Sequence, residues 1–155
     1  MFTKNKITKI TLPDSITVIG LNSFTKNEIT EVIIPPNVVT IESYAFAENQ
    51  IETLVLNDGL KEIHGRAFSV NKLTSISIPA SVTTIGESTP GIEPTTAYER
   101  FPFAYNPQLT SVTMGSGNVE LSDFFLAENN NFKVSYTAGG AGTYIGSVYG
   151  KWEKE

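Results

Sequence analysis

A 22-residue pattern recurs along this chain, and a fixed period of that length leaves few folds open. Counting from the first apolar residue, unit one runs 7–28, unit two 29–50 and unit three 51–72. Unit four starts at Leu73, unit five at Leu109, and Phe132 opens a degenerate sixth. Positions 1, 4 and 6 are apolar in each of the first five: Ile29, Val32 and Ile34 return as Ile51, Leu54 and Leu56, then as Leu73, Ile76 and Ile78. Such a period predicts a stack in which each unit buries its apolar face against its neighbours.

Within a unit the alternation at positions 4 and 6, rich in branched side chains, predicts a short strand with one buried face. A second apolar pair follows at positions 10 and 13: Ile16 and Ile19, Val38 and Ile41, Leu60 and Ile63, Val82 and Ile85. Between the pairs stand Pro13, Pro35 and Pro79, with Asn57 and Gly115 in the other units. Proline has no amide hydrogen to donate, so the strand ends there and the chain turns. Position 18 carries Phe24, Phe46, Phe68 and Phe103. These rings are expected to form one column, opposite the first strand. Segments such as residues 43–48 are too short for a durable helix, which predicts a single helical or 3-10 turn. Position 21 holds Asn27, Asn49, Asn71, Asn106 and Asn129. A side-chain amide offers donor and acceptor together, so these read as a structural ladder closing backbone turns and not as ligands.

Composition excludes several functions. The 155 residues carry a net charge of -5, and Lys4, Lys6 and Lys9 are the nearest approach to a basic cluster. That argues against nucleic acid, whose binding needs many phosphate contacts. With no cysteine, disulfides, thiolate catalysis and most zinc sites are gone. Apolar runs such as Val32–Ile34 are too short to cross a bilayer. The single histidine, His64, stands where Gly20 and Gly86 stand in other units, and reads as an exposed turn residue. Gly139–Gly142 lacks the Gly-Lys-Ser/Thr of a phosphate loop and reads as a glycine turn. Nothing calls for a catalytic group, a metal or a cofactor, and the chain reads as a non-enzyme.

Leu73, Ile76, Ile78, Pro79, Val82, Ile85 and Gly86 follow, almost without gaps, the spacing L-x-x-I/V-x-I/L-P-x-x-V-x-x-I-G. In this the chain resembles the BspA-like leucine-rich repeats of bacterial surface proteins, over Ile7 to Trp152. Ala138 to Tyr144, followed by Trp152, looks like the closing segment of such arrays, making residues 132–155 a C-terminal cap. The resemblance implies one domain over 1–155, a right-handed leucine-rich-repeat solenoid with a parallel sheet on its concave face. It also implies export to the cell surface, with adhesion or protein recognition as the function. The N-terminus, however, lacks the apolar stretch of a leader. Unit one follows only six residues with no polar cap, so further repeats upstream, in a longer exported protein, are expected.

Two regions are candidates for contact with a protein ligand from a host, a neighbouring cell or the matrix. The first is the outward side of the first strands, positions 2, 3 and 5. It includes Thr30, Ile33, Thr53, Val55, Ser75 and Ser77, a hydroxyl-lined surface with a small apolar centre. The second is unit four, 36 residues from Leu73 to Gln108 against 22 elsewhere, an excess of 14. That insertion, 89–102, carries Tyr98, Arg100 and Phe101, residue types common in binding hot spots. A tolerated surface loop whose rings pack back on the outer wall fits the same residues. Carbohydrate is a poorer match than protein, because the strand face offers no aromatic platform. The alternative to binding is a spacer repeat that displays other domains and has no ligand of its own.

Overall fold

The computed structural model describes residues 1–87, 89–91, 101–117, 119–121, 132–147 and 150–155. In chain order the repeat region forms β1 (Val18–Ile19), β2 (Glu31–Ile33), β3 (Thr40–Ile41), β4 (Thr53–Val55) and β5 (Glu62–Ile63). It continues with β6 (Ser75–Ile78), β7 (Thr84–Ile85), β8 (Ser111–Met114) and β9 (Glu120–Leu121). Helix α1 (Phe132–Gly139) and strands β10 (Gly142–Gly146) and β11 (Trp152–Lys154) follow.

The period of the sequence becomes the register of the sheets. Val18 pairs with Thr40, Thr40 with Glu62 and Glu62 with Thr84, while Glu31 pairs with Thr53, all parallel and 22 residues apart. Across the insertion the step becomes 36 in both ladders, Ser75 to Ser111 and Thr84 to Glu120. The extra residues therefore lie between Ile85 and Leu109. This is a β-rich repeat fold with parallel sheets.

Two expectations about the ladders need correction. The second apolar pair builds a strand as well, and its five-stranded sheet, β1-β3-β5-β7-β9, is the continuous one. The first ladder is divided into β2-β4 and β6-β8, and residues 7–12 of unit one pair with no strand. Physical differences coincide with both interruptions. Ile7, Ile10 and Leu12 are only partly buried, and unit three carries Leu54 and Leu56, also partly exposed, where its neighbours place buried Val and Ile.

The outer turns also differ from expectation. Residues 42–47 make two successive β-turns, Ala45 N–H to Glu42 O and Ala47 N–H to Tyr44 O, each 3.2 Å, in place of a helical turn. Positive φ recurs at position 16 (Asn22, Tyr44, Arg66) and at position 20 (Lys26, Glu48, Val70). A left-handed residue every fourth position stops any right-handed helix from propagating.

These turns carry the aromatic column at their centre. Phe24, Phe46, Phe68 and Phe103 stack face to face at 5.3, 5.4 and 5.6 Å, within 10° of parallel. Each asparagine lies beside its ring. Asn71 accepts the Ile51 N–H on Oδ1 at 3.0 Å and donates from Nδ2 to Phe68 O and Phe46 O. Asn27, Asn49 and Asn106 repeat the arrangement. Asn129 falls outside the described residues.

At the C-terminal end the sheet changes direction. Strand β10 runs antiparallel to β8, pairing Tyr144 with Val112, and β11 runs antiparallel to β10. Phe132, Tyr144 and Trp152 are fully buried and meet edge-on, Phe132 lying 5.3 Å from Tyr144 and 5.4 Å from Trp152. The glycine turn expected before Tyr144 is present, with φ of 67° at Gly140 and 140° at Gly142.

Gly115 replaces the turn proline of unit five because the previous unit's backbone leaves no space. A Cβ there would lie 2.4 Å from Ala80 N. Gly115→Ala is expected to cost more than about 1 kcal/mol, while exposed Thr53→Ala stays within about 0.5 kcal/mol. Asn71→Ala leaves one buried amide and two carbonyls short of a partner, an expected loss of about 2–4 kcal/mol. Asn71→Asp is expected to destabilise too, since its second oxygen faces the Phe46 and Phe68 carbonyls. Urea unfolding midpoints check all four.

Candidate protein-interaction face

Side chains alternate across each first-ladder strand, so positions 4 and 6 enter the core while 3 and 5 face solvent. Val32 and Ile76 are buried; Thr53, Ser75 and Ser77 are exposed. Ile33 and Val55 are register partners on neighbouring strands, 60% and 48% exposed. They form the apolar pair expected from the sequence. Thr30 is exposed but precedes β2, and its carbonyl accepts the Glu52 N–H at 2.9 Å, so it borders the alternating face.

The face is wider than the repeats alone imply. Thr143 and Ile145 on β10 pair with Thr113 and Ser111 of β8, which puts their side chains on the same side of the sheet. The Thr113 and Thr143 hydroxyls lie 3.2 Å apart, and Ile145 is 45% exposed. Sequence reasoning missed both, because the antiparallel return of β10 lies outside the 22-residue period. Its only signal was the alternation of Thr143 and Ile145 about buried Tyr144. The resulting surface is a row of hydroxyls, from Ser75 and Ser77 through Ser111 and Thr113 to Thr143. Branched aliphatics stand on either side of it.

The insertion is shorter than 89–102. Thr89 is buried, and Pro102, also buried, accepts the Phe68 N–H at 2.8 Å through its carbonyl, as an ordinary rung. Phe101 was expected to present its ring from the loop. It is 2% exposed and forms part of the wall of unit four, which corrects that expectation. Tyr98 and Arg100 lie outside the described residues.

His64 also departs from expectation, being 4% exposed in place of lying on an open turn. Its Nε2 stands 3.1 Å from Glu62 Oε2 and its Nδ1 3.0 Å from Thr89 Oγ1. The Ser43 N–H donates to that same Oγ1 at 2.9 Å, and the Thr89 N–H donates to Ser43 Oγ at 3.2 Å. An acid, an imidazole and hydroxyls in sequence resemble a proton relay, but Ser43 and Thr89 are both buried and neither hydroxyl is offered to a substrate. The cluster fastens the start of the insertion to units two and three. No residue spacing announced it, since its members are 46 and 25 residues apart.

On the opposite side of the molecule Arg66 lies between two rings, 5.9 Å from the Tyr44 centroid and 5.5 Å from that of Tyr105. A guanidinium over aromatic faces is a favourable contact that holds three units together at the surface. Among the described residues, no group of three or more His, Asp or Glu could hold a metal ion, and no helix is long and apolar enough to cross a membrane.

The 22-residue register, the asparagine closures and the ring column are properties of one repeat family. The family model described as BspA type leucine rich repeat region matches residues 1–89, with six copies. No curated protein and no solved structure matches the chain. The model match covers more than half of the sequence, and every expectation drawn from the repeat spacing rests on the same residues. The chain belongs to the BspA-type leucine-rich-repeat family.

Proposed function

We propose that this chain is a non-catalytic binding module that engages a protein ligand through the exposed side of its first strands. The carrying observation is the side-by-side exposure of Ile33 and Val55 on a surface otherwise made of Ser and Thr. Small hydroxyls cost little to bury when a partner supplies hydrogen bonds, and adjacent branched residues supply apolar contact. Leucine-rich repeats generally mediate protein interactions, which supports the same reading.

In this reading the parallel sheets belong to a right-handed solenoid with the first ladder on its concave side. The family's association with bacterial surfaces supports display outside the cell, with adhesion to host or neighbouring-cell protein as the role. Six strands from β2 to β11 at about 4.8 Å spacing give a face roughly 24 Å wide. That suits a modest interface, or one strand face among several in a longer array. The hydroxyl row alone, without the aliphatic pair, is equally what a spacer repeat carries.

Ile33→Asp combined with Val55→Asp discriminates the two. Retention on immobilised extracellular-matrix extract is expected to fall at least about tenfold, with a thermal midpoint shifted by less than about 3 °C because both side chains are exposed. Unchanged retention by the double variant removes this face from the site. A wild-type chain retained by neither matrix extract nor mammalian cell-surface protein supports the spacer.

A further inference from the structure

Residues 1–6 repeat the end of a unit. Phe2, Thr3, Lys4 and Asn5 align with Phe24, Thr25, Lys26 and Asn27. The structure seats them accordingly. The Phe2 ring stacks on Phe24 at 5.7 Å and 11°, continuing the column. Phe2 N–H and Lys4 N–H donate to Ser23 O and Thr25 O at 2.7 and 2.9 Å, as Phe24 and Lys26 donate to Ala45 and Ala47. Lys4 adopts φ 57° beside 59° at Lys26. Thr3 Oγ1 donates to Asn22 O at 2.6 Å, matching Thr25 on Tyr44 O. Positions 17–22 of one more unit are thus already in place on unit one.

Positions 1–16 of that unit are not, and the surface they would cover is apolar. Ile7, Ile10, Leu12 and Ile16 are partly exposed, whereas their counterparts Ile29, Val32, Ile34 and Val38 are at most 3% exposed. A depression of about 510 Å³ runs along them from Phe2 to Ile19. Strand β1 is the edge of the five-stranded sheet. The Thr17 and Ile19 carbonyls accept bonds from unit two, so the alternation of a parallel strand turns the Val18 amide and carbonyl to the open side.

We infer that this face is a docking surface for positions 1–16 of one more unit of the same repeat, entering at Met1. Its occupant carries branched aliphatics at positions 1, 4, 6, 10 and 13, to meet Ile7, Ile10, Leu12, Ile16 and Ile19. It presents a strand at positions 12 and 13, to pair with Val18. A complete unit from another molecule does not fit, because Met1–Lys6 fill its last six places. A second copy meeting this face with its own would set Lys4, Lys6 and Lys9 against the same cluster, and its other end is closed by Phe132, Tyr144 and Trp152. The docked unit also adds one strand to the candidate binding face.

The test extends the full chain at Met1 with sixteen residues copying Ile29–Tyr44. A control extension carries Ser at the five apolar positions. The apolar extension is expected to raise the thermal midpoint by about 5 °C or more and to slow exchange of the Val18 amide at least about tenfold. The Ser control is expected to do neither, and sedimentation to give a monomer in every case. No rise and no protection, or equal effects from both extensions, overturns the inference. So does an unextended chain that sediments as a dimer dissociated by Ile10→Lys, which would make a second copy the occupant.

Discussion

Each unit is closed by one asparagine side chain, and the rest of the stack depends on that closure. The outer turn needs its amide and carbonyl groups satisfied where water does not reach, because the phenylalanine column lies against it. Asn49 meets the need with both ends of its amide: Oδ1 takes the Ile29 N–H, and Nδ2 serves Phe46 O, Phe24 O and Ala47 O. One side chain therefore joins the first residue of its unit to the last turn, and that turn to the unit before. An aspartate could accept but not donate, and a glutamine would place its amide one methylene too far out. The chemistry fixes the residue at position 21, and with it the length of the unit.

A fixed unit length makes register a consequence of sequence. Two ladders with the same 22-residue step stay aligned only if every unit between them has the same length, and where unit four is longer both ladders shift by the same amount. The insertion is accommodated between the ladders without disturbing either. That requires both of its ends to be held: Thr89 by Ser43 and His64, and Pro102 by Phe68. The buried histidine at position 14 is thus explained by the insertion and by nothing in the repeat, which places Gly20, Glu42 and Gly86 there.

Whatever follows the period was legible in the sequence: the buried positions, the ring column, the asparagine ladder, the place of the extra residues, and the outward strand positions. Features that break the period were not. His64 and Thr89 meet through contacts peculiar to one pair of units. Phe101 looked like a loop residue because its unit has no equivalent spacing, yet it lies two residues before Phe103 and packs with it in the same outer wall. The strands at positions 12 and 13 were hidden by their brevity, since two residues cannot display alternation. Their continuity comes from neighbours, as Val39 O accepts from both Lys61 and Glu62. The antiparallel β10 was hidden because its partner is chosen by the end of the stack and not by a repeat.

The two ends of the stack obey opposite rules. At the C-terminal end β8 would present an open edge, and the chain covers it with strands of reversed direction, a helix and three large rings. A reversed strand uses the edge amides without offering a further edge of the same register, so growth in that direction stops. Burial, with Tyr136 close by, also pushes the Tyr144 phenol above its ordinary range, so the buried hydroxyl stays neutral and donates to the Gly140 carbonyl. At the other end β1 keeps the parallel register and exposes the same side that β3 presents to β1, with the aliphatics of unit one beside it. An edge that preserves register is a template for one more unit of the same kind. The asymmetry gives the stack a direction: it terminates where the rings close it and propagates where Phe2 lies on top of the column.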